Sequence, residues 1–199
     1  MPIPSLLMFD LGGVLIENIT FDSLNDLLPE PQDTQTLQNK WLSSSAVRSF
    51  ELGKISPIEF AESFIAEWNI NLNADIFLEK FTSWPRGFYP GALEALHILR
   101  RQYRIGCLSN SNVLHWGKFG DLKENFDIAL ASHLLGAIKP DDEAFIRTLD
   151  ACDVEPSAMY FFDDSAANIH TASRLGIRAF TVECIAQLLK TLHEEHLLP

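Results

Sequence analysis

Three carboxylates, a lysine and a Ser-Asn pair stand out by position. Asp10 closes the apolar run Leu6-Leu7-Met8-Phe9 and is followed by Gly12-Gly13. Asp163 and Asp164 close Met159-Tyr160-Phe161-Phe162, and Ser109-Asn110 close Arg104-Ile105-Gly106-Cys107-Leu108. Lys139 precedes Pro140 in Ala137-Ile138-Lys139-Pro140. Hard carboxylates with open positions suit Mg²⁺, which keeps waters and accepts phosphate oxygens. Three acids brought together repel one another unless a cation lies between them. A metal and a lysine neutralise a phosphoryl group, while hydroxyl, amide and N–H donors hold its oxygens. Each residue also has an ordinary reading. A strand-end aspartate forms turns, an acid pair caps the next helix, and a lysine before proline sits on the surface. The repetition of polar residues at one strand end after another favours a site.

The elements that must position them are legible in outline. Four apolar runs end at those polar residues or near Ser132 (residues 6–9, 104–108, 127–131 and 159–162), and a fifth, 177–182, is rich in strand formers. Helical patterns separate them: 91–101, 141–152, 165–175 and about 184–193. Ser165 or Asp164 is placed to cap the third of these helices and Gly176 to close it. Continuously apolar strands alternating with helices predict an α/β fold, a doubly wound, Rossmann-like parallel sheet covered on both faces. In such sheets ligands bind beyond the carboxyl ends of the strands. Residues 19–88 break the alternation. They carry helical patterns at 34–47, 57–68 and 74–81, with Ser56 and Pro57 suited to a helix start. We read them as a small helical cap inserted into a core of residues 1–18 and 89–199. Trp41, Trp68 and Trp84 lie in the cap and are expected to pack its interior.

Bulk properties exclude several classes. The 199 residues are 47% hydrophobic and 21% charged, an ordinary globular balance. The net charge of −12 and the lack of a Lys/Arg cluster argue against nucleic acid and anionic membrane partners. Residues 1–8 lack a basic leader, and no apolar run approaches the roughly 18 residues that span a bilayer. A cytoplasmic location follows as an expectation. Cys107, Cys152 and Cys184 form no CxxC pair and are expected to be reduced and buried. His193-Glu194-Glu195-His196 is one residue short of a zinc HExxH spacing. His115 and Trp116 follow the Ser-Asn pair closely enough to border a substrate.

Taken in order, these motifs resemble the haloacid dehalogenase-like (HAD) superfamily over nearly the whole chain. Phe9-Asp10-Leu11-Gly12-Gly13-Val14-Leu15 resembles its first motif, Leu108-Ser109-Asn110 the second, Lys139-Pro140 the third, and Phe162-Asp163-Asp164-Ser165-Ala166-Ala167-Asn168 the fourth. The branch most similar contains glucose-1-phosphatase-like enzymes and the phosphatase domain of soluble epoxide hydrolases. The resemblance implies a magnesium-dependent phosphatase acting on a small phosphorylated metabolite such as a sugar phosphate, as a monomer or homodimer. It implies that Asp10 attacks phosphorus, that Ser109 and Asn110 hold the phosphoryl group, and that Lys139 offsets its charge. It implies that Asp10, Asp164, Asp163 and the backbone carbonyl of Gly12 hold Mg²⁺.

One departure matters. Most phosphatases of the superfamily carry a second aspartate, a general acid, where this chain has Gly12. Its loss predicts a preference for leaving groups that need little protonation, unless Glu17 or a cap residue supplies the proton. Three alternatives follow. A haloacid dehalogenase would direct Asp10 at carbon without metal, but Asp163-Asp164 speaks against it. A receiver domain has a similar residue set in the wrong order. A catalytically silent relative would bind a phosphorylated ligand.

Overall fold

The computed structural model describes residues 4–18, 20–119 and 122–198. Among the described residues seven strands form two sheets. β2 (Ile16–Asn18) and β3 (Pro85–Phe88) pair as a short antiparallel ribbon. The main sheet holds β1 (Leu6–Phe9), β4 (Arg104–Ser109), β5 (Ile128–Ala131), β6 (Met159–Asp163) and β7 (Arg178–Thr181). Its order is β5-β4-β1-β6-β7, with every neighbouring pair parallel. This is the expected doubly wound α/β sheet.

Successive side chains on a strand point to opposite faces, and both faces of β1 are used. Leu7 and Phe9 pack with α6 (Ala92–Leu99) and α12 (Ile185–Glu194) through Leu96, Leu188 and Leu192. Leu6 and Met8 pack with α10 (Asp142–Cys152) and α11 (Ala166–Arg174) through Phe145, Cys152 and Ala172. Register then sets the chemistry. Phe9 lies beside Phe162 and Phe162 beside Phe180, so three rings stack at 5.0 Å spacings across adjacent strands. The next residues up from Phe9 and Phe162 are Asp10 and Asp163, which therefore emerge side by side.

Between β2 and β3 the chain forms α1 (Thr20–Asn25), α2 (Thr34–Ser43), α3 (Ser45–Glu51), α4 (Pro57–Trp68) and α5 (Ala74–Thr82). These helices share an aromatic cluster of their own, including Phe50, Phe60, Phe64, Phe77 and Phe81. Phe50 stacks on Phe60 at 4.3 Å. At the start of α4, Ser56 and Glu59 form a reciprocal capping box with Pro57 in the first turn. Residue 19, the expected cap boundary, lies outside the described residues, as do residues 1–3 of the leader reading and the terminal residue 199. Shorter helices complete the core: α7 (Val113–Lys118), α8 (Leu122–Asn125) and α9 (Ser132–Leu135). Among the described residues no helix is long and apolar enough to cross a membrane.

Three expectations are corrected, and one element had gone unseen. The pattern over 34–47 is two helices, because extended Ser44 caps α3 by accepting the Val47 N–H, a role serine fills better than a helix interior. The β2–β3 ribbon is too short, and too broken by Pro85 and Gly87, to show alternation in sequence. Cys184 is exposed, whereas Cys107 and Cys152 are buried, and all three are free. Ser165 precedes α11 but makes no capping bond through its hydroxyl. Its own N–H instead donates to Asp163 Oδ1 at 2.8 Å.

Candidate active site

Asp10 stands at the carboxyl end of central strand β1, and its N–H donates to the Phe162 carbonyl at 2.8 Å. Its Oδ1 accepts the Leu11 N–H at 2.7 Å and lies 3.0 Å from Lys139 Nζ. Oδ2 has no donor among the described residues. Lys139 is buried and also donates to Asp163 Oδ2 at 2.6 Å. A single ammonium thus bridges two carboxylates. Burial opposes its charge, but Asp10 and Asp163 outweigh that and hold Lys139 above its ordinary value.

Asp163 is fully buried. Asn168 donates to its two oxygens at 2.9 and 3.0 Å. Asn168, within the fourth motif, was not singled out in the sequence. Its signal is its place in the first turns of α11, close enough to reach back to the end of β6. Asp164 is the more accessible acid of the pair and lines the cavity above. Gly13, with φ +79°, faces it. The backbone conformation favours glycine, and a Cβ there would stand 2.6 Å from Asp164 Oδ2 and displace that carboxylate.

Asn110 lines the same cavity, but its side-chain amide is engaged. It donates to the Lys139 carbonyl at 2.8 Å and accepts the Lys139 N–H at 2.9 Å. This two-way clamp positions the lysine. The Ser109 hydroxyl has only a 3.4 Å contact with the Asn110 carbonyl and retains donor capacity. Gly12 lines the cavity beside Asp10.

One oxygen from each of Asp10, Asp163 and Asp164 lies within 4.8 Å of the others, the donor set a hard divalent cation takes. Their protonation shows the same crowding. Burial raises Asp10 to about 7, with Lys139 opposing and Asp163 and Asp164 adding. Burial and the Asp163 charge raise Asp164 to about 6. The ordinary value of both is 3.8, so between that and about 6 to 7 the folded chain holds more protons than the unfolded one. Stability then falls as pH rises through that window. In EDTA the midpoint of thermal unfolding is expected to drop from pH 5 to pH 8, and stabilisation by added Mg²⁺ to grow over the same range. A flat or rising midpoint in EDTA would contradict this charge balance.

The cavity over these residues is about 550 Å³. Its upper wall includes Phe21, Trp41, Leu42, Arg48 and Glu51 from the helices between β2 and β3. Trp41 is therefore a lining residue as well as a packing one, whereas Trp68 and Trp84 are buried as expected. Arg48 pairs with Asp141 across the cavity edge. His115 lines the cavity, but its Nε2–H donates to the Phe81 carbonyl at 2.8 Å and its ring stacks on Phe81. Burial lowers it to about 4, so it is neutral. Trp116 is not among the lining residues, and Glu17 pairs with Arg86 at 3.7 Å away from the cavity. Burial pushes the Cys107 thiol up to about 12, removing it as a nucleophile.

Fold and motif order together define a hydrolase class. Residues 4–176 match the haloacid dehalogenase-like hydrolase family, and the chain belongs to it. Among curated relatives, phosphatase MT3486 of Mycobacterium tuberculosis (strain CDC 1551 / Oshkosh) is 30% identical over 132 residues, 63% of this chain and 60% of that protein. Bifunctional epoxide hydrolase 2 of Mus musculus is 26% identical over 110 residues, 51% of this chain and 20% of that protein. The chain thus matches about three fifths of one relative's length and a fifth of the other's. Among solved structures, the HAD family enzyme BT-2542 of Bacteroides thetaiotaomicron, in complex with magnesium and inorganic phosphate, has the same fold. Its TM-score is 0.73 at 24% identity, covering 90% of this chain and 94% of that one.

Proposed function

We propose that the chain is a magnesium-dependent phosphatase that hydrolyses a small phosphorylated metabolite in the cytoplasm through an aspartyl-phosphate on Asp10. The carrying observation is the convergence of Asp10, Asp163 and Asp164 with Lys139 beneath one cavity. The phosphatase relative and the magnesium and phosphate bound by the neighbouring fold support the reading. A metal-free dehalogenase needs no such cluster of acids.

In this reading Asp10, Asp164, Asp163 and the Gly12 carbonyl would hold Mg²⁺. Magnesium supplies charge neutralisation and polarises phosphoryl oxygens. Lys139 and Leu11 N–H fix Asp10 Oδ1, which leaves Oδ2 to attack phosphorus. The Ser109 hydroxyl, the Asn110 backbone N–H and the Lys139 ammonium bind the transferred group. The helices of residues 19–88 act as a cap that excludes water. Their aromatic wall of Phe21 and Trp41 and the polar Arg48–Asp141 pair suit a sugar phosphate, which has apolar faces and a hydroxyl rim.

Phosphate release from p-nitrophenyl phosphate tests the reading. Turnover is expected with Mg²⁺, to fall by about two orders of magnitude or more in EDTA, and to return on readdition. Folded, magnesium-loaded protein that releases no phosphate, or turnover indifferent to EDTA, would sink it. Halide release from a haloacid would then be the next assay.

A further inference from the structure

Gly12 leaves the leaving group without the usual proton donor, yet one further acid lines the cavity over Asp10. Glu51 is the last residue of α3 and shares a face with Val47 and Arg48, all three lining the cavity. We propose that Glu51, reaching in from the cap, is the general acid and base of this hydrolase, in place of the missing aspartate at Gly12. The proposal rests on the phosphatase reading above.

Three observations carry it. The first is elimination. Of the other titratable groups on the cavity wall, Asp141 is paired with Arg48, and Lys139 bridges Asp10 and Asp163. His115 is neutral and donates to the Phe81 carbonyl. Asp10 and Asp164 belong to the metal and nucleophile set. No donor or cation among the described residues closes on the Glu51 carboxyl.

The second is mounting. The Glu51 carbonyl accepts the Ser132 hydroxyl at 2.6 Å, and the same hydroxyl oxygen accepts the Ser111 N–H at 3.0 Å. Ser111 directly follows Ser109 and Asn110, so one side chain ties the backbone of Glu51 to the phosphate loop. Two residues on, Gly53 (φ +68°) passes so close to α9 that a Cβ would meet the His133 carbonyl at 2.8 Å. The backbone that carries the acid is thus tied to the Ser109–Ser111 loop and packed against α9, which fixes where the carboxyl is mounted.

The third is environment. Burial raises the Glu51 carboxyl to about 7, with the Asp10 charge adding and Lys139 opposing. Both protonation states are then present near neutrality, as acid and base roles require.

The steps balance. Asp10 Oδ2 attacks phosphorus, the bond from phosphorus to the ester oxygen breaks, and its electron pair takes the Glu51 proton to give an alcohol. The Glu51 carboxylate then removes a proton from water, whose oxygen attacks phosphorus. The bond from phosphorus to Asp10 breaks, its electrons return to the Asp10 carboxylate, and inorganic phosphate leaves.

The test is a leaving-group series from p-nitrophenyl to phenyl phosphate, reading phenol release in the first turnover with Mg²⁺ present. Glu51→Gln keeps size and removes the proton. Its loss relative to wild type should reach about 10²- to 10⁴-fold on phenyl phosphate and be much smaller on p-nitrophenyl phosphate. Glu51→Asp, which keeps an acid but retracts it, should lie between. Equal losses along the series in Glu51→Gln, or none, would overturn the assignment. If wild type releases no phosphate from any member with Mg²⁺, it is the phosphatase reading that has failed.

Discussion

Asp10→Asn is expected to lower turnover by about four orders of magnitude or more while the fold persists. The side chain lies at the end of the central strand with its backbone bonded to Phe162, so the position does not depend on the charge. The carboxamide is isosteric but a poor nucleophile, and neither neighbouring acid at the strand ends is placed to replace it. Asp163 is enclosed by Lys139 and Asn168, and Asp164 lies against Gly13. Two readouts check this. Phosphate release should vanish against p-nitrophenyl phosphate, and rapid acid quenching should leave phosphate on the wild-type peptide containing Asp10 but not on the variant's. Turnover within tenfold of wild type would place the nucleophile elsewhere.

Lys139→Met is expected to damage both stability and activity. The ammonium is buried, 3.0 Å from Asp10 Oδ1 and 2.6 Å from Asp163 Oδ2. Its removal leaves two carboxylates facing each other, and breaking a buried pair this way costs about 3–5 kcal/mol. Because the folded value of Lys139 is raised, its contribution is fully present below the ordinary lysine value of about 10.4 and is lost only at higher pH. At neutral pH the whole effect should therefore be visible. Chemical unfolding in EDTA measures it, and adding Asp163→Asn to Lys139→Met should restore part of the loss. Arginine should not substitute, since a longer planar head replaces a compact ammonium that is buried 3.0 and 2.6 Å from the two oxygens. A change below about 1 kcal/mol in Lys139→Met would show that the bridge is dispensable.

The sequence made the central strands and their polar ends legible because buried parallel strands are written as apolar runs that stop abruptly. Asp10, Ser109, Asn110, Asp163 and Asp164 all followed from that rule, and Lys139 from its motif. What each side chain touches was not legible. Asn110 resembles a phosphate ligand in sequence, yet its amide is clamped to the backbone of Lys139. Asn168 belongs to the helix after β6, and only the turn of that helix brings it to Asp163. Glu51 was hidden for a further reason. It lies more than 40 residues from Asp10, in the gap between the helical patterns at 34–47 and 57–68, and the packing of α3 against α9 brings it over the strand ends.

The Ser132 joint has a consequence for how such a chain diversifies. Ser132, Gly53 and Glu51 are bound into one small assembly with the Ser109–Ser111 loop, where a change at any member is felt by the others. The outer wall is built differently. Leu42 is 76% exposed and Phe21 meets Trp41 edge-on, and among the described residues no polar link runs from these side chains to Asp10 or to the Ser109–Ser111 loop. On the phosphatase reading, drift there alters which molecule is admitted and leaves intact what is done to its phosphate. Lineages descended from this architecture should exchange substrates through Phe21, Trp41 and Leu42 long before they touch the strap at Glu51–Gly53.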